Sequence, residues 1–266
     1  MFSLLRADLF KLRKRAMGWV MLVIVALFVP LVMLATAAMQ QGKTNYNFTS
    51  SLLAGLAPLA LVGTFTVIVL GATLVGSEYG YDTWKNLLIR RQGRVSFIIS
   101  KWLVMVIGTC IALVMLLLLG EIVGRVLQST MHLTGLPLQL SPLSVIILIL
   151  MQIVIPLAAG SMAIMGAVLW RSSAAGIVLG IVWYIADGAL GGLAPMASAG
   201  TSITVLQGQA TGMALASGGS VSPVHLSAAM AGPLGVIPGV VLIFYLVVPI
   251  AVAASLFRRR DMLGAG

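Results

Sequence analysis

The chain has 266 residues, of which 60% are hydrophobic and 8% are charged, and its mean hydropathy is +1.12. A soluble domain usually has ~45–50% apolar and ~25% charged residues, so this composition excludes a cytosolic enzyme, a disordered tail and a secreted disulfide scaffold. The net charge of +10 would suggest nucleic acid in a soluble protein, but the basic residues here recur at junctions between apolar runs and indicate membrane topology instead.

Residues 1–16 are predicted to form an amphipathic helix in the plane of the membrane interface. At about 100° per residue, one stripe contains Phe2, Leu5, Leu9 and Leu12, and the opposite side is expected to contain Asp8, Lys11, Lys14 and Arg15. Such a helix turns its apolar face towards the acyl chains and is attracted to anionic lipid by its cations. Two interpretations stay open: a basic anchor that only fixes orientation, or a helix that also contacts a cytoplasmic partner.

Six apolar stretches are long enough to cross a bilayer, which requires ~20 apolar residues in a helix. The predicted spans are residues 17–39, 54–76, 102–124, 144–168, 174–194 and 234–257. They are predicted to be helices because backbone groups cannot stay unpaired in lipid. The sequence therefore predicts an all-α integral membrane protein with one six-helix domain over residues 17–257 and a tail at 258–266. Cleavage of a signal peptide is the alternative for the first run, which is longer than the ~7–15 apolar residues of a signal peptide.

The basic residues orient these spans. Fourteen of the sixteen Lys and Arg residues fall on one side, and the exceptions are Lys43 and Arg125. The positive-inside rule makes the basic side cytoplasmic. Both termini, the segment 77–101 and the turn at 169–173 are therefore predicted to face the cytoplasm of a multi-pass plasma-membrane protein.

The segment 77–101 is the one cytoplasmic stretch between predicted spans that is long enough to offer a docking surface. Thr83 is a candidate cap for a short helix over residues 84–91, and Gln92-Gly93 would end that helix. The helix would carry Trp84, Leu87 and Leu88 on one side, with Lys85, Arg90 and Arg91 beside them. Such apolar groups are costly in water unless they meet lipid or protein. The alternative is a solvated basic loop. Gly76 and Gly80 are expected to break or tighten the end of the second span.

This segment resembles the signature of ABC type-2 permeases, E-Y-x-x-G-T-x-[KR] followed by a Leu pair, an Arg and a Lys that opens the third span. The matching residues are Glu78-Tyr79, Asp82-Thr83-Trp84-Lys85, Leu87-Leu88, Arg94 and Lys101. The six spans and the amphipathic N-terminal helix are also similar to that family. Asp82 stands where the family often has Gly, and Gln92-Gly93 replaces a turn that usually contains Pro.

The resemblance implies the membrane subunit of a two-component, ATP-driven exporter. The helix at 84–91 would be the coupling helix that contacts a separate ATPase subunit, with Trp84, Lys85, Leu87, Leu88 and Arg91 as the contacts. Glu78, Asp82 and Arg94 would be hinge or salt-bridge residues near it. The working complex would contain two ATPase copies and a second permease, identical or homologous. ATP and Mg²⁺ would bind to the ATPase, with no cofactor in this chain.

Motifs for catalysis are missing from the sequence. No G-x-x-x-x-G-K-[ST] motif occurs, and neither the two His residues nor Cys110 has neighbours at metal-ligand spacing. A non-catalytic exporter subunit fits best, and the lack of a charged binding site favours an amphipathic or hydrophobic substrate, such as a drug, an antimicrobial peptide or a lipid-like molecule. The alternative is a secondary transporter driven by an ion gradient, which usually carries buried carboxylates.

Charged residues inside the predicted spans are costly and are candidates for function. Glu121 and Arg125 have the spacing of a one-turn salt bridge, and a structural role is expected. Asp187 has three open interpretations: it lines a translocation cavity, it caps a broken helix near Gly188, or it lies at the outer interface. Gly176-x-x-x-Gly180 and similar pairs favour close helix packing. The weakly polar segment 195–233 is expected to form re-entrant helices at the outer mouth, by analogy with the family.

Overall fold

The computed structural model describes residues 2–14, 16–39, 62–80, 94–131, 142–193 and 237–260. Within these ranges the chain is helical apart from a turn at residues 171–172, and it contains no strand. The helices are α1 (Phe2–Lys14), α2 (Ala16–Met39), α3 (Thr64–Gly80), α4 (Arg94–Met131), α5 (Pro142–Trp170), α6 (Ser173–Leu193) and α7 (Ile237–Arg260). The all-α fold expected from the sequence is confirmed for these residues.

Six of these helices are strongly apolar. In the part of the chain that the structure describes, three contain a stretch long and apolar enough to cross a membrane: Gly18–Ala35 in α2, Val95–Leu127 in α4 and Gln152–Trp170 in α5. The shorter apolar stretches are Thr64–Tyr79, Ser173–Ala189 and Ile243–Leu256. The chain is a helical membrane protein, and the count of six spans stays a prediction.

The helices on both sides of the predicted cytoplasmic segment extend further into it than the sequence suggested. The helix α3 continues through Gly76 to Gly80, so of the two glycines expected to break or tighten the end of this span, Gly76 does not break the helix. The helix α4 begins at Arg94 rather than at residue 102 and, with 38 residues, is about 57 Å long, against a hydrocarbon core of ~30 Å. The boundaries 77–101 therefore overlap both helices. The predicted coupling helix at 84–91 and the segment 195–233 lie outside the described residues.

The core of the bundle is built around α5, which packs against α3, α6 and α7. Glycines allow these helices to approach closely, because a Cβ at Gly71 would lie 2.8 Å from the carbonyl oxygen of Gly160. The predicted packing pair Gly176 and Gly180 lies at similar contacts, where a Cβ would lie 2.6 Å from the carbonyl oxygen of Ala163 and 2.7 Å from Cγ2 of Ile68, respectively. Small residues at helix contacts are typical of membrane bundles.

The helices α1 and α2 lie at the periphery of the bundle and both contact α4. In α2 one face is buried, and the other exposes large apolar side chains, among them Leu27 and Leu31. The apolar stripe of α1 packs on the protein itself, because Leu5, Leu9 and Leu12 contact the hydrophobic core. The helix α1 therefore packs against the rest of the protein through its apolar stripe and does not contact lipid alone.

Candidate functional site: a buried ion-pair cluster

Lys101 is the centre of a buried polar site where three helices meet. Only 2% of this residue is exposed. Its Nζ donates to Asp8 Oδ1 at 2.6 Å and to Glu78 Oε1 at 3.0 Å. An isolated buried ammonium would be strongly unfavourable, so the two carboxylates compensate its charge. The amino group thereby joins α1, α3 and α4.

Further contacts complete the site. The Ser100 hydroxyl donates to Asp8 Oδ2 at 3.1 Å, and the Lys11 amino group donates to Glu78 Oε1 at 3.1 Å. We call Asp8, Lys11, Glu78, Ser100 and Lys101 the ion-pair cluster. Its two carboxylates and two ammonium groups balance in charge. The ring of Phe97 lies 5.2 Å from the Lys101 Nζ, within the range of a cation–π contact.

The position of Asp8 corrects the sequence analysis, which expected it on the side of α1 opposite the apolar stripe. Asp8 is 5% exposed and faces the bundle. It lies three residues after Leu5 and four before Leu12, and side chains at these spacings are neighbours on one helix face. Docking of the apolar stripe therefore carries Asp8 into the bundle, where Lys101 is its partner.

The ion-pair cluster connects the helices α1, α3 and α4 at one point. Glu78 and Lys101 lie on either side of the undescribed residues 81–93, so their ion pair holds the adjoining ends of α3 and α4 together. Asp8 attaches α1 to the same point. Removal of one partner from a buried ion pair usually costs ~3–5 kcal/mol because a charge is left uncompensated. Relative motion of these three helices is therefore expected to be coupled.

Two other charged features of the spans have defined surroundings. Arg125 Nε donates to Glu121 Oε1 at 2.6 Å, which is the one-turn salt bridge expected from their spacing. Asp187 is 8% exposed and interacts electrostatically with Tyr184 and Tyr245. The helix α6 continues through Gly188 to Leu193 without a break, so Asp187 does not cap a broken helix there.

Comparison with known families gives one match that covers most of the chain. The family described as ABC-2 family transporter protein matches residues 4–187. The chain belongs to the ABC-2 transporter family. The matched range contains the whole ion-pair cluster and the residues 81–93 between α3 and α4. No curated protein matches the chain. Membership makes the chain an ABC transporter permease, and members of this family are typically the non-catalytic membrane component that associates with an ABC ATPase.

All five predicted ATPase contacts of this ABC-2 permease lie outside the described residues, namely Trp84, Lys85, Leu87, Leu88 and Arg91. Asp82, predicted as a hinge or salt-bridge residue, also lies outside them. Arg94 is the first residue of α4. Of the residues assigned to a hinge or salt bridge, Glu78 has described contacts, and it pairs with Lys101 and Lys11. Among the described ranges, no group of three His, Cys, Asp or Glu side chains could hold a metal ion.

Asp8 is not among the site residues predicted from the sequence of this permease, and Lys101 enters those predictions only through topology and the family resemblance. One signal for Asp8 was available, namely its helical spacing from Leu5 and Leu12. A signal for Lys101 was its place inside an otherwise apolar run, where an unpaired lysine would be costly. The identity of its partners required the tertiary structure, because Asp8 lies 93 residues away.

Proposed function

We propose that this chain is the membrane subunit of an ATP-driven ABC exporter, which moves an amphipathic or hydrophobic substrate out of the cell with ATP hydrolysed by a separate subunit. The observation that carries the proposal is the family match over residues 4–187. The ion pair between Glu78 and Lys101 supports the proposal, because both residues belong to the signature segment. The complex would contain two ATPase copies and two permeases in the plasma membrane, with both termini of this chain cytoplasmic.

In this proposal, residues 84–91 form the coupling helix that binds the ATPase. Trp84, Leu87 and Leu88 supply apolar and aromatic contacts, which dominate the binding energy of protein interfaces. ATP and Mg²⁺ belong to the ATPase. When ATP binding draws the two ATPases together, the coupling helices move with them.

The ion-pair cluster would carry this motion into the membrane. Because Lys101 holds both Glu78 and Asp8, displacement of the segment between α3 and α4 would shift α1, α3 and α4 as one unit. The close glycine contacts of α3 with α5 would pass the shift to the centre of the bundle. The substrate pathway would then open to the opposite side of the membrane.

Copurification with the ATPase tests the proposal. The double variant Leu87→Ala, Leu88→Ala is expected to reduce capture of the co-expressed ATPase by at least about tenfold, because two buried contacts are lost. The matched control is Ile122→Ala, Val126→Ala, which removes two exposed apolar side chains at the other end of α4. Equal capture by both variants and the unchanged protein would contradict the docking role of residues 84–91.

A second candidate function is a secondary transporter driven by an ion gradient. The observation that favours it is the burial of Asp187 within an apolar helix, since intramembrane carboxylates often relay ions. Everted vesicles distinguish the two. Efflux by the ABC exporter would stop when ATP is depleted and persist when the proton gradient is collapsed, whereas a secondary transporter would give the reverse result.

A further inference from the structure

An apolar cavity of about 300 Å³ lies at the meeting point of α1, α2, α3 and α4. Leu12 of α1, Gly18 and Trp19 of α2, Leu70 of α3 and Gly108 of α4 line it. At its rim, Trp19 is 56% exposed on the bundle surface. The cavity is therefore accessible from the side that faces the surrounding lipid.

The cavity offers few hydrogen bonds to a polar ligand. The two hydroxyl groups in its lining are those of Thr66 and Thr109. Each hydroxyl already donates to a carbonyl of its own chain, Thr66 to Val62 at 2.7 Å and Thr109 to Met105 at 2.9 Å. Sites for small molecules usually have ~300–1,000 Å³ and a few polar groups that fix the orientation of the ligand. This cavity is at the lower limit of size, and both of its hydroxyl groups already donate within the protein, which favours a flexible hydrocarbon chain.

Basic residues of α1 flank the two residues of that helix that line the cavity, Leu9 and Leu12. Lys14 is exposed and follows Leu12 by two residues. Its Nζ lies 5.8 Å from the ring of Phe10, which is itself 61% exposed. Arg6 on the same helix is also exposed. A cation beside an exposed aromatic ring is typical of a helix at the level of the lipid headgroups.

We propose that one acyl chain of an anionic phospholipid from the cytoplasmic leaflet occupies this cavity, with its phosphate near Lys14. The assignment of the leaflet rests on the topology in the proposed function. A second copy of this chain is a poorer occupant, because a helix of ~10 Å diameter does not fit into a cavity of this volume. The bound lipid would fill the space between α1 and the spans and so support the docking of the helix that carries Asp8.

The test uses the full-length permease, delipidated in detergent and titrated with phosphatidylglycerol or phosphatidylcholine, with bound lipid counted by native mass spectrometry. Gly108→Leu fills the cavity, and Gly108→Ala is the matched control. A Cβ at Gly108 would lie 3.4 Å from Leu70 and 4.0 Å from Leu12, so the added methyl group fits. The first phosphatidylglycerol is expected to bind at least about tenfold more weakly to Gly108→Leu and within about twofold of normal to Gly108→Ala.

Lys14→Gln tests the headgroup. It is expected to lower the affinity for phosphatidylglycerol to that for phosphatidylcholine and to leave phosphatidylcholine binding unchanged. Ala112 also lines the cavity. If Gly108→Leu elutes as an aggregate, Ala112→Leu is used as the filling variant instead.

Three results would overturn the proposal. The first is that both filling variants bind phosphatidylglycerol as tightly as the unchanged protein does, and the second is that the unchanged protein binds the two lipids with equal affinity. The third is that a filling variant keeps its lipid but has a different oligomeric state. Because the measurement needs neither the ATPase nor transport, its failure is distinct from failure of the proposed function.

Discussion

Lys101 Nζ lies 3.0 Å from Glu78 Oε1, although 23 residues separate the two in the sequence. The same amino group is 2.6 Å from Asp8, so three helices depend on one cation. Lys101→Met is expected to lower the free energy of unfolding by about 3–5 kcal/mol, because both carboxylates lose a buried partner. The measurement is the thermal midpoint of the purified permease in one detergent.

Lys11→Met is the control for this prediction. Lys11 also pairs with Glu78, but its side chain is 45% exposed, so its loss is expected to cost less than about 1 kcal/mol. The triple variant Asp8→Asn, Glu78→Gln, Lys101→Met has no buried charge at the site and is expected to recover part of the stability. The interpretation of Lys101 would be wrong if Lys11→Met and Lys101→Met lowered the midpoint equally.

The environment of Lys101 shows which part of the fold could be predicted from the sequence and which part could not. Apolar length and the positive-inside pattern predict helices and their order, and the α2, α5, α6 and α7 boundaries fall within a few residues of the predicted ones. The predicted third span begins at residue 102, directly after Lys101. The helix continues through it to Arg94 because Asp8 and Glu78 neutralise the charge. Partners so distant in sequence leave no local pattern.

Gly76 of α3 lies in close contact with Ser173, the first residue of α6. A Cβ on Gly76 would lie 2.4 Å from both Cα and N of Ser173, and backbone atoms cannot rotate away. Gly76→Ala is therefore expected to lower the free energy of unfolding by about 1–3 kcal/mol, measured as a lower thermal midpoint.

The control for Gly76→Ala is Gly108→Ala, also in the interior of a helix. Its Cβ would meet Leu70 at 3.4 Å, an ordinary contact, so the higher helix propensity of Ala is expected to raise stability by about 0.5–1 kcal/mol. A midpoint for Gly76→Ala at or above that of the unchanged protein would show that the α3 contact with Ser173 is looser than the structure gives.

Arg171, in the turn after α5, has a φ of 53°. This left-handed backbone conformation favours glycine, because glycine has no Cβ. Arg171→Gly is expected to be about 1 kcal/mol more stable than Arg171→Ala. The two variants lose the same charge and the same side-chain contacts, so the difference in their thermal midpoints reports the backbone alone. Equal midpoints would mean that the turn relaxes without cost when the arginine is removed.

Gln152 and Ser161 are both buried in α5 but differ in how their hydrogen bonds are satisfied. Gln152 is 2% exposed, and its Oε1 has no partner in the described part of the chain. Ser161 accepts from Trp102 Nε1 at 3.2 Å and donates to the Leu157 carbonyl at 2.8 Å. Gln152→Leu is therefore expected to raise the free energy of unfolding by about 1 kcal/mol, and Ser161→Ala to lower it by a similar amount, because Trp102 would lose its acceptor.

Thermal midpoints and substrate efflux of the two α5 variants are measured together. If Gln152 serves only as an unsatisfied core residue, Gln152→Leu raises the midpoint and efflux stays normal. A lower midpoint would mean that the amide has a partner that stabilises the fold. Normal stability with lost efflux would instead indicate that the Gln152 amide has a role in transport, because its Oε1 has no partner among the described residues.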